Sequence, residues 1–99
     1  MLIGRIVGTV VATQKEPRLE GLKLQVVKQV DIEGSLSEAF VVAVDAVGAG
    51  QGETVLYATG SAARQTTLTD GRPVDAVVMA IVDTWDVDGR VVYDKQKEG

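Results

Sequence analysis

The stretch that decides the fold runs from Val44 to Arg64 and reads VDAVGAGQGETVLYATGSAAR. It contains the end of one apolar strand, a glycine-rich turn and a second strand over Thr54–Ala58, and it ends in a short Ala-rich helical turn. Glycine accepts positive φ and lets another segment of backbone approach closely. The alternating glycines therefore predict a tight, hairpin-type connection between the two strands.

The polar residues of this stretch have expected roles in holding it together. Asp45 precedes the glycines and is expected to accept backbone N–H groups there rather than to act in catalysis. Ser61 is expected to cap the helical turn that ends at Arg64. A nucleotide-binding loop is not predicted, because the glycines lead into a strand instead of a helix and no Lys-Ser or Lys-Thr pair follows them.

Composition favours one mainly β domain over residues 1–99. Apolar residues make up 45% of the chain, and they are rich in Val, whose branched Cβ suits a pleated sheet. No apolar run reaches the roughly 20 residues that a membrane-spanning helix needs. The first residues lack a basic segment followed by a long apolar one, so no signal peptide is evident.

The absence of His and Cys narrows the possible chemistry. Without them the chain lacks the commonest general base, the commonest metal ligand and any thiol. Most familiar hydrolase and transferase sites are therefore excluded, whereas a site built from carboxylates alone stays open at this point. A net charge of −4 and an aromatic content of 4% also argue against a nucleic-acid partner, which normally requires excess positive charge.

Period-two alternation places the strands. Leu2–Ala12 has a wholly apolar or glycine even-numbered face, which predicts a core-facing strand in which glycines allow strong coiling or a crossing backbone. In Leu22–Val30 the apolar face is expected to consist of Leu22, Leu24, Val26 and Val30. Lys28 interrupts this face near the strand end, and Gln25 lies on the opposite side. Phe40–Ala46 is apolar on nearly both faces, so it is expected to be central or at an interface.

The C-terminal third predicts one long strand and a hairpin. Val74–Val87 is apolar on both faces over part of its length, so one face can pack inside while the other meets another subunit. Asp88-Gly89 favours a type I′ turn, after which Val91–Tyr93 returns as a short strand. Asp94–Gly99 is expected to be a solvated tail.

These elements predict a mainly β fold, a small five-stranded OB-like closed barrel with one short helical turn and a C-terminal hairpin. Closure of the barrel leaves few strand edges unpaired. The helical turn lies between the fourth and fifth strands, whereas the helix of an OB-fold lies between the third and fourth.

Several segments together resemble one known family. They are Ile3–Lys15, Leu19–Leu24, Val44–Glu53, Gly60–Arg64 and Pro73–Asp83. In this order and spacing the chain resembles the bacterial microcompartment vertex proteins of the EutN/CcmL family over nearly its whole length.

The resemblance implies a structural protein without catalysis of its own, and therefore no catalytic residues, no metal and no cofactor. Its members are OB-like barrels that form cyclic pentamers and close the vertices of a polyhedral shell in the bacterial cytoplasm, where hexameric and trimeric shell proteins are the implied partners. Flat hexamers tile facets, and pentagons supply curvature. Each subunit of such a ring uses two different surface patches.

The resemblance also suggests residues at the subunit contact. Gly48, Ala49 and Gly50 are expected to allow close subunit approach, and Ser61, Ala62, Ala63 and Arg64 are expected to lie at the contact. Arg64 can pair with Asp45, Asp75 or Asp83 of its own or the next chain, or bind carbonyl groups of its own subunit. Trp85 is either an interface anchor or a cover for one barrel end.

Two other functions remain open at this point. A small-molecule-binding β-barrel needs a concave site with aromatic walls, for which the chain has four aromatic residues: Phe40, Tyr57, Trp85 and Tyr93. A carboxylate enzyme would use Asp75 or Asp83. These two lie about 26 Å apart along a continuous strand at ~3.3 Å per residue, so they cannot act as a pair within one chain.

Overall fold

The computed structural model describes residues 1–98. Its strands are β1 (Leu2–Val10), β2 (Leu24–Val30), β3 (Leu36–Asp45), β4 (Thr54–Thr59), β5 (Ala76–Ile81), β6 (Thr84–Val87) and β7 (Arg90–Asp94). Two short 3-10 helices cover Pro17–Leu19 and Gly60–Arg64, and the helix α1 covers Lys95–Glu98. Gly99, which belongs to the predicted tail, lies outside the described residues.

Five strands close a barrel in the order β1-β2-β3-β5-β4, and β6 and β7 form a separate two-stranded sheet. All strand pairs within the barrel are antiparallel except β3 with β5. These two strands run parallel and pair at only two positions, Val44 with Val77 and Asp45 with Val78. The predicted fold class is confirmed, with the Gly60–Arg64 turn between β4 and β5 and the hairpin at the C-terminal end.

The predicted hairpin-type connection between β3 and β4 is wrong. These two strands are not neighbours, because β5 lies between them. The glycine-rich loop instead crosses the barrel and binds the backbone of β1, with Gly52 N–H donating to Ile6 O at 2.8 Å and Ile6 N–H donating to Glu53 O at 3.0 Å. Gly48 and Gly52 have φ of 75° and 88°, values that glycine tolerates best.

The barrel interior is filled by side chains from all five strands and from the glycine-rich loop. This inner cluster consists of Ile6, Val27, Ala43, Ala49, Val55, Tyr57, Ala76 and Val78. A second cluster lies outside the barrel wall, where Ala63 of the Gly60–Arg64 turn covers Val44, Ala58 and Val77. The outer face of β5 at Val77 is therefore buried by its own subunit, contrary to the expectation of a neighbouring one.

The predicted inward face of β2 is also wrong. Gln25 and Val27 are buried at 1% and 0% exposure, whereas Leu24 packs against the outer cluster. Val30 is buried as expected, beyond a register shift between Lys28 and Val30. The prediction placed Gln25 away from the apolar face because its side chain is polar. In the structure, Gln25 forms hydrogen bonds inside the barrel that offset the cost of its burial.

Gly4 and Ile6 of β1 are buried as predicted, although the strand ends at Val10 rather than Ala12. A Cβ at Gly4 would lie only 2.5 Å from Val27 Cγ1 and 2.9 Å from Lys28 O. The predicted close backbone approach is confirmed at this glycine.

The predicted long strand Val74–Val87 is divided into β5 and β6. Val82 N–H still donates to Thr54 O of the barrel at 2.9 Å, and the chain then leaves it. Asp88 and Gly89 have φ of 53° and 77°, and the adjacent Val87 and Arg90 pair across the hairpin, which confirms the type I′ turn.

The predicted solvated tail is wrong at its start. Asp94 ends β7, and the Lys95 side chain contacts Glu53. Within residues 1–98 no helix is long and apolar enough to cross a lipid bilayer.

Candidate subunit-contact site

Asp45 holds the first half of the glycine-rich loop. Its Oδ1 accepts the backbone N–H groups of Val47, Gly48 and Ala49 at 3.0, 2.9 and 3.2 Å. The carboxylate is 8% exposed, and these charge-assisted hydrogen bonds compensate its burial. The expected structural role of Asp45 is confirmed.

Gln25 supports this arrangement from inside the barrel. Its Nε2 donates to Ala49 O at 2.9 Å and to Asp45 Oδ2 at 3.4 Å, and its Oε1 accepts from Thr9 Oγ1 at 3.2 Å. Sequence reasoning placed Gln25 at the surface. The available signal was an amide beside the apolar residues Leu24, Val26 and Val27, a side chain that can donate and accept at the same time.

Glu53 fixes the second half of the loop and connects it to the C-terminal segment. Its Oε1 accepts the Gly50 N–H at 2.7 Å, and its Oε2 lies 2.6 Å from Lys95 Nζ. The Lys95 side chain and the Gly50 N–H hold the pKa of Glu53 below its usual value. The Glu53 carboxylate in turn raises the pKa of Lys95. The loop is therefore fixed at Asp45 and Glu53.

The Gly60–Arg64 turn presents a different surface. The helix begins at Gly60, with Thr59 at the N-cap position and no side-chain capping bond, so the predicted Ser61 cap is wrong. Ala63 is fully buried, whereas Ser61, Ala62 and Arg64 are exposed. Buried Ala63 therefore anchors three exposed side chains on the barrel wall.

Arg64 binds a carbonyl group of its own subunit. Its Nη1 donates to Val74 O at 3.0 Å, and none of the salt bridges within residues 1–98 includes it. The bond still leaves other guanidinium donors available at an exposed position.

Trp85 connects the hairpin to the turn between β2 and β3. Its ring stacks on Tyr93 with 5.2 Å between centroids, and its Nε1 donates to Ile32 O at 3.0 Å. Asp83, at the start of the hairpin, is exposed, and its backbone O accepts the Lys95 N–H at 2.8 Å.

The structure thus brings the predicted residues together in two groups. Asp45, Gly48, Ala49 and Gly50 form one loop, which Glu53 and Lys95 connect to the segment around Asp83. The Ser61–Arg64 group lies beside the start of β5, whereas Asp83 lies two residues beyond the end of β5. The length of β5, about 17 Å at ~3.3 Å per residue, therefore separates the two groups. Within residues 1–98 no cluster of acidic side chains is suited to hold a metal ion.

The closed barrel, its packed interior and the exposed Ser61–Arg64 turn on its wall are those of a small β-barrel protein. Comparison with known proteins gives its family. Residues 1–83 match the family described as "Ethanolamine utilisation protein EutN/carboxysome". The chain belongs to this family, and the resemblance found in its sequence is confirmed.

Relatives match over almost the full length. The carboxysome shell vertex protein CcmL of Gloeobacter violaceus is 48% identical over 99% of this chain and 98% of its own. CcmL of a Nostoc species is 50% identical over 99% of this chain and 98% of its own.

Solved structures are similarly close. The structure of Gloeobacter violaceus CcmL has a TM-score of 0.93 at 49% identity, covering 97% of this chain and 99% of its own. The structure described as the GrpN pentameric microcompartment shell protein from Rhodospirillum rubrum has a TM-score of 0.81 at 41% identity, covering 88% and 99%.

Proposed function

We propose that this chain forms a cyclic pentamer that caps the vertices of a polyhedral bacterial microcompartment in the bacterial cytoplasm. The observation that carries the proposal is the likeness to the pentameric shell protein GrpN across 88% of the chain. It is joined by near full-length similarity to relatives named as shell vertex proteins. Function is then geometric, because a fivefold unit supplies the curvature that flat sixfold units lack.

The same geometry indicates the partners. A pentamer at a vertex is surrounded by the units that tile the facets, so we infer that hexameric and trimeric shell proteins of the same compartment contact its rim. A cyclic ring also requires two different surfaces on each subunit, since each copy meets one neighbour on either side. We infer that the glycine-rich loop together with Asp83 supplies one of these surfaces and that the exposed side chains of the Gly60–Arg64 turn supply the other.

We infer a division of roles among the predicted contact residues. Gly48, Gly50, Ser61, Ala62, Arg64 and Asp83 face the neighbouring copies, while Asp45, Ala49, Ala63 and Trp85 hold those surfaces in position. Burial supports this division, because Ala49 and Ala63 are 0% exposed and Asp45 is 8% exposed.

Catalysis is not part of the proposal. The chain lacks His and Cys, Asp45 is bound to the loop backbone, and Glu53 is paired with Lys95. The small-molecule-binding alternative is also disfavoured, because side chains fill the barrel interior.

Native mass measures the ring directly. One chain weighs 10.5 kDa, so five chains give about 52 kDa, a closed fivefold ring of the kind a shell vertex needs. We expect this species in native mass spectrometry at micromolar concentration. Co-expression with hexameric shell proteins should give closed particles, and omission of this chain should give open sheets or tubes. A stable monomer or dimer would contradict the proposed function.

A further inference from the structure

A row of three polar side chains crosses the outer face of the barrel. Arg5 of β1 lies directly opposite Lys28 of β2 on one side and opposite Thr54 of β4 on the other. Residues directly opposite each other on antiparallel strands share a face of the sheet. The adjacent residues Ile6 and Val27 belong to the inner cluster, so strand alternation directs the row away from the barrel interior.

A pocket opens beside this row. Its volume is about 260 Å³, and it is lined by Arg5, Gly52, Thr54 and Tyr93. Because Tyr93 belongs to β7, the pocket lies between the barrel wall and the β6–β7 hairpin. A Cβ at Gly52 would meet no atom within 4 Å, so this glycine leaves the space open. We call this space the Arg5 pocket.

The lining of the Arg5 pocket is rich in hydrogen-bond donors. The Arg5 guanidinium carries five N–H groups, and the hydroxyls of Thr54 and Tyr93 can each donate once. Among the side chains of residues 1–97, no hydrogen bond or salt bridge includes any of these three groups. Their donors are therefore available to a bound molecule.

Burial supports this for Thr54 in particular. The residue is only 1% exposed. Among described residues that are not exposed, no fully buried side-chain oxygen lacks a hydrogen-bond partner. The small exposed area of Thr54 therefore lies at its hydroxyl, which reaches the surface of the Arg5 pocket.

Two cations stand side by side at this position. Like charges directly opposite each other in a sheet destabilise it, and Arg5 lies opposite Lys28. The Lys28 Nζ is 3.8 Å from Oε2 of Glu38, whose side chain is fully exposed, and exposed pairs of this kind contribute little. An anion beside Arg5 would offset the repulsion.

Of the described residues, none that lines the Arg5 pocket is acidic. Two carboxylates adjacent to the lining in sequence are engaged elsewhere. Glu53 Oε2 lies 2.6 Å from Lys95 Nζ, and Asp94 Oδ1 accepts the Gln96 N–H at 3.1 Å. The charge of the lining itself is therefore that of the Arg5 guanidinium.

The arrangement of donors indicates the shape of the ligand. A guanidinium binds a carboxylate or a phosphate through two parallel N–H···O bonds. Both oxygens of a carboxylate are then used, whereas a tetrahedral ion keeps further oxygens for other donors. Thr54 supplies such a donor from the barrel wall, and Tyr93 supplies another from the hairpin.

We propose that the Arg5 pocket binds a small tetrahedral oxyanion such as phosphate or sulfate. Arg5 supplies the opposite charge, and the hydroxyls of Thr54 and Tyr93 complete the hydrogen bonds of the ion. Because Tyr93 belongs to the hairpin and the other two residues to the barrel, the bound ion fastens the hairpin to the barrel wall. All lining residues belong to one chain, so the site does not depend on the proposed ring.

Titration of the full chain with inorganic phosphate tests the site. Amide NMR spectra, recorded with the ionic strength held constant by sodium chloride, should show saturable shifts at Arg5, Gly52, Thr54 and Tyr93. Sulfate should produce the same shifts. Shifts that do not saturate, or that are spread over basic side chains of the whole surface, would indicate non-specific attraction and overturn the proposal.

Substitutions identify the groups that bind the ion. Arg5→Gln should raise the Kd for phosphate about tenfold or more, because it removes charge-assisted bonds. Thr54→Val and Tyr93→Phe each remove a hydroxyl and should raise it about fivefold. Arg18→Gln is the matched control, because Arg18 is exposed and paired with Glu16 outside the pocket.

These variants also keep the test independent of folding. Tyr93→Phe retains the aromatic ring and Thr54→Val retains the side-chain volume, so both report on binding even where Arg5→Gln does not fold. A Kd for phosphate that stays unchanged in all three variants would overturn the site. A Kd that rises equally in Arg18→Gln would overturn it as well.

Acetate tests the shape of the ligand. With only two oxygens it should bind more weakly than sulfate, and acetate binding as tight as that of sulfate would overturn the assignment to a tetrahedral ion. Native mass of the same samples separates this proposal from the proposed function. A chain that forms the ring and gives no saturable shifts would overturn the anion site and leave the ring intact.

Discussion

At the scale of single residues, two buried polar side chains shape the loop that crosses the barrel. Asp45 accepts three backbone N–H groups, and Gln25 binds the Ala49 carbonyl. Among described residues that are not exposed, no fully buried side-chain N or O atom lacks a hydrogen-bond partner. A complete network of this kind fixes one loop conformation, because any other would leave buried groups unpaired.

We expect Asp45→Ala to lower the free energy of unfolding by about 3 kcal/mol, because it removes the acceptor of three backbone N–H groups, of which that of Ala49 is buried. Asp45→Asn retains one side-chain oxygen as an acceptor, so it should lower the free energy of unfolding by less. Urea denaturation of both variants measures the difference, with the exposed Glu38→Ala as control. Equal stability of the Ala variant and the natural chain would show that the loop does not depend on this carboxylate.

Gly4 offers a second test at this scale. A methyl group there would lie 2.5 Å from Val27 Cγ1 and 2.7 Å from Tyr57 Cε1, so Gly4→Ala should cost about 1–3 kcal/mol through overpacking. Gly8 is the matched control on the same strand, because a methyl group there would make ordinary contacts at 3.7 Å. In thermal unfolding, the Gly4→Ala variant should have a lower Tm than the natural chain, and the Gly8→Ala variant should have nearly the same Tm.

At the scale of elements, the Glu53–Lys95 pair connects the glycine-rich loop to the segment that follows the hairpin. The lowered pKa of Glu53 means that its contribution to stability is fully present above its ordinary value near 4.5 and is lost as the pH falls through the lowered value. The pKa of Lys95 is raised, so the contribution of Lys95 to stability is fully present below its ordinary value of 10.5. That contribution is lost as the pH rises through the raised value.

We therefore expect Glu53→Gln to lower the Tm at pH 7 and to have a progressively smaller effect as the pH falls below 4.5. The Tm difference from the natural chain, measured between pH 7 and pH 3, checks this. Glu38→Gln on the outer face should give no comparable trend. A difference that stayed constant across the range would mean that the Glu53 charge is not responsible.

At the scale of the whole molecule, we expect the barrel to determine the stability of the chain and the hairpin to contribute mainly to ring formation. The inner cluster contains no residue of β6 or β7, and Trp85 holds the hairpin through Tyr93 and Ile32. Trp85→Ala should therefore weaken ring formation more than it lowers the stability of the barrel. Native mass across a dilution series, compared with thermal unfolding, separates the two effects. A large loss of Tm with an unchanged ring would contradict this division.

The alternation of apolar residues by itself determined the mainly β class, the five strands of the barrel and the positions of most of them. Asp88-Gly89 determined the type I′ hairpin, because both positions require positive φ and this pair tolerates it. The segments that resemble the EutN/CcmL family determined its membership. In each case the signal lies within a few neighbouring residues or in the order of short segments along the chain.

Only the tertiary structure decided which strands meet and which side chains face inward. Insertion of β5 between β3 and β4 turned the expected hairpin loop into one that crosses the barrel. Gln25 faces the interior because Ala49 and Asp45, more than nineteen residues away along the chain, supply its hydrogen-bond partners there. Pairings of this kind depend on closure of the barrel, which brings distant backbone segments together, and local periodicity carries no information about them.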